Sequence, residues 1–212
     1  MALVDSHYDS STRAGYKWFA MEHWGSSSNV NPTIYGGWKG CDLRYDILGS
    51  TNTAPSGYGS YPQSSRVGYN AGTTTATNPK ANTLMSCLPS DLRAVMQPMT
   101  IYTDNYGYYS NTEAAVTTSI DYLPLLAEFE IFGTRTYANQ YEKNKQTQYA
   151  YYSTGNNSKI KYQHLSTSTA IKWWIRSNYY NSYFRFINVS SRGGLSYSDS
   201  TDSYGLAPMF TV

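Results

Sequence analysis

The chain has 212 residues, of which 14% are charged and 23 are tyrosine, and its formal net charge at pH 7 is +2. This small charge, with no stripe of Lys and Arg, argues against nucleic-acid binding, and no apolar run reaches the ~20 residues of a membrane-spanning helix, so we expect no membrane insertion. Polarity comes from Ser, Thr, Asn, Gly and Tyr rather than from Lys and Glu, which favours a surface of loops and strands.

The amino-terminal segment, residues 1–34, mixes aromatic residues with turn formers and shows neither the basic start nor the apolar stretch of a signal peptide. Residues 41–48 carry apolar side chains at helical spacing, which predicts a first short helix that ends at Gly49. Residues 50–82 are rich in Thr, Ser, Gly and Asn, so we expect a long loop there.

A second short helix is predicted between two prolines. Pro89 suits the start of a helix, and Pro98 ends it. Leu92, Val95 and Met96 lie three and four residues apart, which places them on one face of a helix. We therefore expect all three side chains to point inward.

Two strands and a buried apolar segment follow. Residues 99–123 have the pattern of a strand, a turn and a second strand. Residues 123–133 are apolar except for Glu128 and Glu130, which on a strand would share one face and could form the paired carboxylates of a hydrolase. The alternative is that both carboxylates accept hydrogen bonds from an arginine or from backbone groups beside the core.

The histidines and cysteines do not point to a catalytic or metal site. His7, His23 and His164 lie far apart and in no metal-ligand spacing. Cys41 and Cys87 have apolar neighbours, so we expect buried, unreactive thiols, with a disulfide as the alternative. We predict no catalytic residue, no metal and no cofactor.

Adjacent tryptophans open the last part of the chain. On a strand, Trp173 and Trp174 face opposite sides, so we expect one in the core and the other partly exposed or packed on a second layer. Arg176 shares the face of Trp174, and a buried arginine needs a carboxylate, for which Glu130 and Asp42 are the candidates.

Five sequence blocks, in this order, carry a resemblance to a known family: GGWKGCDLR, LPSDLRAVM, LLAEFEIFG, WWIRS and GLAPMFTV. From about residue 35 to residue 212, the chain resembles a widespread domain of unknown function from bacteria and phages. The resemblance implies an α+β, C-type-lectin-like fold, related to that of the formylglycine-generating enzyme. In that fold, two short helices and a small twisted antiparallel sheet support long ligand-binding loops.

The chain departs from its relatives at places that matter for chemistry. Ala207 stands where the family usually has an arginine, so a contact is lost or replaced there. No cysteine follows Cys87, so the cysteine chemistry of the related enzymes is not expected. The calcium-ligand signature of sugar-binding C-type lectins is also missing, so the resemblance implies no calcium site.

Residues 178–204 contain five Tyr, seven Ser and three Asn. Antibody loops use the same mixture because Tyr gives a large contact at low entropic cost while Ser and Asn provide adaptable hydrogen bonds. The segment is similar to the variable segments of C-type-lectin-like proteins diversified by retroelements. The alternative is that it reflects the composition of the whole chain, since residues 134–162 are also polar and Tyr-rich.

We therefore expect residues 1–212 to form one non-enzymatic ligand-binding domain that recognises a protein or glycan receptor on a cell surface. A phage tail, hence a virion, or a cell surface fits this reading, as does a homo-oligomer that adds avidity. The alternatives are a hydrolase that uses Glu128 or Glu130 and a structural decoration of a virion. The predicted ligand-binding residues are Asn178, Tyr179, Tyr180, Asn181, Tyr183, Arg185, Asn188, Ser190, Arg192, Ser196, Tyr197, Ser198, Ser200, Asp202 and Tyr204.

Overall fold

The computed structural model describes residues 36–41, 43–50, 75–81, 83–107, 109–163, 166–200, 202 and 204–212. The predictions for residues 1–34, for 51–74 of the long loop, for Asp42 and for the three histidines lie outside these ranges. The described chain is α+β, with a few short helices and small antiparallel sheets. None of its helices is long and apolar enough to cross a membrane.

The helices are all short. The α-helices are α1 (Gly37–Gly40), α2 (Leu84–Cys87), α3 (Ser90–Val95) and α4 (Glu128–Phe132). A π-helical turn covers Leu43–Ile47, and 3-10 turns cover Glu113–Ala115, Glu142–Asn144, Ala150–Thr154 and Asn156–Lys159.

The strands form three antiparallel sheets in the described ranges. They are β1 (Met99–Asp104), β2 (Val116–Asp121), β3 (Lys161–Tyr162), β4 (Ala170–Ile171), β5 (Trp173–Asn178), β6 (Arg185–Val189) and β7 (Leu195–Asp199). β1 pairs with β2, β3 pairs with β4, and the largest sheet has the order β5-β6-β7. The predicted strand–turn–strand at 99–123 is confirmed, with Met99 opposite Asp121 and Asp104 opposite Val116.

The first predicted helix, at residues 41–48, is present as the π-helical turn Leu43–Ile47, and its apolar residues Leu43, Ile47 and Leu48 are buried. α1 is an additional helical turn that begins at Gly37, and the chain becomes extended at Cys41 before the π-helical turn. The glycines explain this start, because Gly37 has φ +49 and a Cβ there would lie 2.0 Å from the carbonyl oxygen of Asp104. The same block is tied to β2, because Trp38 and Arg44 both donate to the buried Asp121 carboxylate, at 3.3 and 2.6 Å.

The second predicted helix is confirmed at its start, since Pro89 immediately precedes α3. The expectation that Val95 points inward is wrong, because its side chain is 51% exposed. α3 ends at Val95 and Met96 is already extended, so the two residues no longer share a helical face; Met96 is buried and Leu92 is half-buried. A helix of six residues is too short to carry a full apolar stripe.

Cys41 and Cys87 are not joined in a disulfide, so the disulfide alternative is wrong. Cys41 is buried as expected, but Cys87 is exposed. Cys87 is the last residue of α2, a four-residue helix that buries only Met85. A helix this short has one inward-facing position, which Met85 fills.

The sheet β5-β6-β7 is covered on both faces. Trp173 and Trp174 are each completely buried, so the expectation of a partly exposed tryptophan is wrong and the second-layer alternative is confirmed. Trp174 and Phe186 belong to one core cluster, with Leu206. Trp173 belongs to a second cluster, with Ile131, Ile175, Ile187 and Val189.

Candidate functional site

The Tyr/Ser-rich segment 178–204 folds as part of this sheet. It starts at the last residue of β5, turns, forms β6 and returns as β7, with Phe186 opposite Ser198. Gly193 makes the second turn with φ +78, and a Cβ there would lie 2.5 Å from the carbonyl oxygen of Asn156. The segment is thus a packed sheet edge with two turns rather than a free loop.

Three of the predicted ligand-binding residues are completely buried, so the expectation that they face a ligand is wrong. They are Asn178, Asn188 and Ser200. Asn188 lies in the central strand and donates to the Ser198 hydroxyl at 3.0 Å. Both polar atoms of the Asn178 side chain and the hydroxyl of Ser200 find no hydrogen-bond partner among the described residues.

The other predicted residues reach the surface to different degrees. Asn181, Arg192 and Asp202 are exposed. The remaining nine are half-buried: Tyr179, Tyr180, Tyr183, Arg185, Ser190, Ser196, Tyr197, Ser198 and Tyr204.

Stacked tyrosines form the centre of a continuous surface. The rings of Tyr179 and Tyr197 stack with centroids 4.6 Å apart and an interplanar angle of 23°. Tyr137 meets both edge-on, at 5.5 and 5.0 Å, and Tyr180 meets Tyr179 edge-on at 5.7 Å. These are the preferred geometries of aromatic pairs, each worth about 0.5–1.5 kcal/mol beyond area burial.

Two arginines extend this surface. The Arg185 guanidinium lies over the rings of Phe184 and Tyr197, at 4.8 and 5.2 Å, and pairs with the Asp199 carboxylate at 3.2 Å. The Arg135 guanidinium lies 4.5 Å from the centroid of Tyr180. Such stacking fixes an arginine while leaving donors available to a ligand.

The contacts continue to a remote loop. Phe184 meets Tyr183 at 4.7 Å, and Tyr183 lies 6.2 Å from Tyr109. Tyr109 is held with φ 53 and its backbone N–H donates to Ser182 O at 3.3 Å. We call the complete set the tyrosine–arginine face: Tyr109, Arg135, Tyr137, Tyr179, Tyr180, Tyr183, Phe184, Arg185 and Tyr197.

Only part of this face could be predicted from the sequence. Tyr109, Arg135 and Tyr137 lie 58 to 90 positions before the residues of β7 in the sequence, so no local pattern links them to it. The backbone N–H of Tyr180 donates to Tyr137 O at 3.0 Å, which joins the 134–138 loop to the turn after β5. The Tyr-rich composition of residues 134–162 was the available signal.

Four tyrosine hydroxyl groups of the face make no hydrogen bond to another described residue: those of Tyr137, Tyr179, Tyr180 and Tyr197. A ligand can therefore stack on the rings and hydrogen-bond to their hydroxyls without breaking a contact within the described part of the protein.

The predicted residues on the opposite side of the sheet form a separate network. The Tyr204 hydroxyl contacts Ser198 Oγ at 2.8 Å and donates to the Asp202 carboxylate at 3.0 Å. The Tyr204 ring packs on Trp174 at 4.7 Å and lies 5.1 Å from the Lys172 ammonium. Tyr204 thus closes the core and does not join the tyrosine–arginine face.

Comparison with protein families identifies the chain. The model of the family described as a domain of unknown function, DUF6273, matches residues 26–212. The chain belongs to this family. The comparisons with curated proteins and with solved structures found no match. The expected resemblance to a domain of unknown function is confirmed at this level, and the family assignment adds no activity.

The two glutamates considered for a hydrolase lie on α4, a helix, and not on a strand, where they would share one face. Glu130 caps this helix by accepting the N–H of Ala127 at 2.8 Å, a local bond that a strand pattern does not reveal. Its carboxylate also forms a bidentate pair with Arg176, at 2.7 and 2.5 Å. The prediction of Glu130 as the partner of Arg176 is confirmed.

Glu128 holds the loop that carries Tyr137 of the tyrosine–arginine face. Its carboxylate accepts the backbone N–H groups of Thr136, Tyr137 and Ala138, the last at 2.5 Å. Burial raises the pKa of Glu128, and these three donors act in the opposite direction. Both glutamates are therefore engaged in structural hydrogen bonds, as the alternative interpretation expected.

A further buried acid, Glu142, was not predicted from the sequence. Its carboxylate accepts the backbone N–H of Asp104 at 2.9 Å and the Ser177 hydroxyl at 2.7 Å. Burial raises the pKa of Glu142 to about 7, and the nearby Asp104 carboxylate adds to the rise. No group of three His, Cys, Asp or Glu side chains in the described part of the chain is placed to hold a metal ion.

Proposed function

We propose that this protein is a non-enzymatic ligand-binding domain that uses the tyrosine–arginine face to recognise a protein or glycan on a cell surface. The observation that supports this is the unbroken series of ring contacts from Tyr109 to Arg135, built from seven aromatic rings and two guanidinium groups. Tyr and Arg are the residue types that dominate binding hot spots.

The chemistry of the face fits recognition better than catalysis. Tyrosines present large, rigid, amphipathic surfaces at low entropic cost, and a well-packed anchor contributes about 2 kcal/mol to binding. The carboxylates offered for a hydrolase, Glu128 and Glu130, are occupied by backbone donors and by Arg176. A purely structural decoration of a virion would need no continuous aromatic face at the surface.

We further propose a C-type-lectin-like fold in which segment 178–204 is diversified by a retroelement. The arrangement of the sheet supports this, because β5 is completely buried while the residues that follow it reach the surface. Replacing a surface tyrosine such as Tyr180 leaves this buried strand intact. A phage tail or another surface-displayed multimer fits such a module, since avidity compensates for weak single sites.

Sequencing the 3′ end of this gene across a natural population tests diversification. We expect variation at the codons of Tyr180, Tyr183 and Tyr197 and constancy at those of the buried Asn178 and Asn188. Uniform variation over all five codons, or none at any, would contradict the proposal, because a diversified binding surface must change while its scaffold stays fixed.

Binding itself is tested with fluorescently labelled protein on glycan arrays and on bacterial cells collected where the gene's natural population is sampled. The matched variants are Tyr180→Ser on the face and Tyr162→Ser, an exposed tyrosine on β3 that is not part of the face. We expect the first to lose binding and the second to keep it. Equal binding by both variants would show that the tyrosine–arginine face does not take part in the interaction.

A further inference from the structure

A second concave site lies at the opposite end of β5 from the tyrosine–arginine face. It is a cavity of about 290 Å³ whose walls include Leu126, Tyr149, Tyr151, Tyr152, Lys161 and Met209. Tyr152 stacks near Trp173, the first residue of β5, whereas Tyr179 follows its last residue. The volume is near the lower end of the range for small-molecule pockets, about 300–1,000 Å³.

Lys161 is the unusual residue of this cavity. Only 8% of the residue's surface is exposed, yet its ammonium forms no hydrogen bond or ion pair with any described residue. The neighbouring Lys159 shows how this region otherwise accommodates a buried lysine, since its ammonium donates to the carbonyl oxygens of Tyr152 and Gly155, each at 2.9 Å. A largely buried ammonium without such partners is costly unless water or a ligand supplies them.

Aromatic rings hold the Lys161 ammonium in place. It lies 5.3 Å from the ring centroid of Tyr151, 5.2 Å from that of Tyr152 and 5.6 Å from that of Trp173. The faces of these rings attract a cation, but they offer it no oxygen or nitrogen atom as a hydrogen-bond acceptor. Burial lowers the pKa of Lys161, and an anion beside it would act in the opposite direction.

We propose that this cavity binds a small organic carboxylate, whose negative group pairs with Lys161 and whose flat, largely apolar body packs between Tyr149, Tyr151 and Met209. The charge is complementary, because the cavity offers one unpaired cation and no acidic residue on its described walls. The body must be apolar because Leu126, Ala207, Pro208 and Met209 provide the remaining walls. The proposal does not depend on the tyrosine–arginine face, so either can fail alone.

Benzoate and benzyl alcohol are suitable probes, since they differ in charge but hardly in shape. We expect benzoate to shift the ¹³Cε resonance of Lys161 saturably, with a dissociation constant on the order of 1 mM, and to raise the pKa of this lysine. Benzyl alcohol and inorganic phosphate should each bind at least about tenfold more weakly, the first for lack of charge and the second for lack of an apolar body.

Ligand-detected NMR on two variants locates the site. Lys161→Met should weaken benzoate binding at least about tenfold. Lys172→Met, which removes an exposed lysine packed on Tyr204, should leave it unchanged. If Lys161→Met does not fold, Tyr151→Ala serves instead, since this ring is 62% exposed and its loss should weaken benzoate binding but not unfold the protein.

Three results would overturn the proposal. Benzyl alcohol that binds as well as benzoate would show that the cation is not used. Phosphate that binds as tightly as benzoate would show that the site recognises any anion and does not select an apolar body. Unchanged affinity in both Lys161→Met and Tyr151→Ala would place any benzoate binding elsewhere.

Discussion

Glu142 allows a quantitative prediction of how stability depends on pH. Its pKa rises from the ordinary 4.5 to about 7 in the folded protein, chiefly because the carboxylate is buried. A tenfold change in proton affinity corresponds to about 1.4 kcal/mol, so the rise in pKa amounts to roughly 3 kcal/mol. The folded state binds the proton more tightly than the unfolded state does. The associated stability is therefore fully present below pH 4.5 and is lost as the pH rises through about 7.

The prediction is that the free energy of unfolding falls by roughly 3 kcal/mol between about pH 5 and pH 8 because of this group. Replacing Glu142 with Gln removes the titration, so the variant should show a smaller decline over the same range. Asp104, whose pKa burial also raises, acts in the same direction and remains in the variant. Urea unfolding at several pH values measures both slopes.

Glu113→Gln provides the control, because this glutamate is exposed and its replacement should not alter the pH dependence. Parallel curves for the wild-type protein and the Glu142→Gln variant would refute the reasoning. They would mean that the donors from Asp104 and Ser177 hold Glu142 ionised in spite of its burial.

The other predictions concern single contacts. Glu130→Gln should lower the free energy of unfolding by about 3–5 kcal/mol in urea, because Arg176 stays buried without its counter-charge; a loss under about 1 kcal/mol would contradict this. Gly37→Ala should lower the melting temperature clearly, since the new methyl group meets a backbone carbonyl; unchanged melting would contradict it. Tyr180→Ser and Tyr183→Ser should each weaken ligand binding about tenfold or more while stability changes by at most about 1 kcal/mol; unfolding instead would make them core residues.

The hairpin of β1 and β2 could be predicted because its signal is local. Alternating apolar residues and a turn-rich centre lie within 25 consecutive positions, residues 99–123. α4 could not be predicted in the same way, because Glu128 and Glu130, two residues apart, fit one face of a strand equally well. The helix depends on the Glu130 cap and on the pair with Arg176, which lies 46 residues further on.

The candidate site shows the same division between local and distant information. The composition of residues 178–204 points to Tyr179, Tyr180 and Tyr197, which lie on the face. Composition alone does not distinguish the two sides of a strand, so it also selects the buried Asn188. Tyr137 reaches the face through the loop held by Glu128, a contact that no spacing in the sequence encodes.

The proposed diversification of the face requires that the contacts that stabilise the fold be separate from those of the face. The scaffold contacts are specific and buried: Glu130 with Arg176, and Glu128 with the backbone of the 136–138 loop. The contacts within the face are mostly between rings, and any aromatic or small polar residue at Tyr180 or Tyr183 leaves the buried bonds unbroken. In the proposed binding domain, stability depends on the first set and recognition on the second. Substitutions on the face should therefore alter what is bound without unfolding the protein.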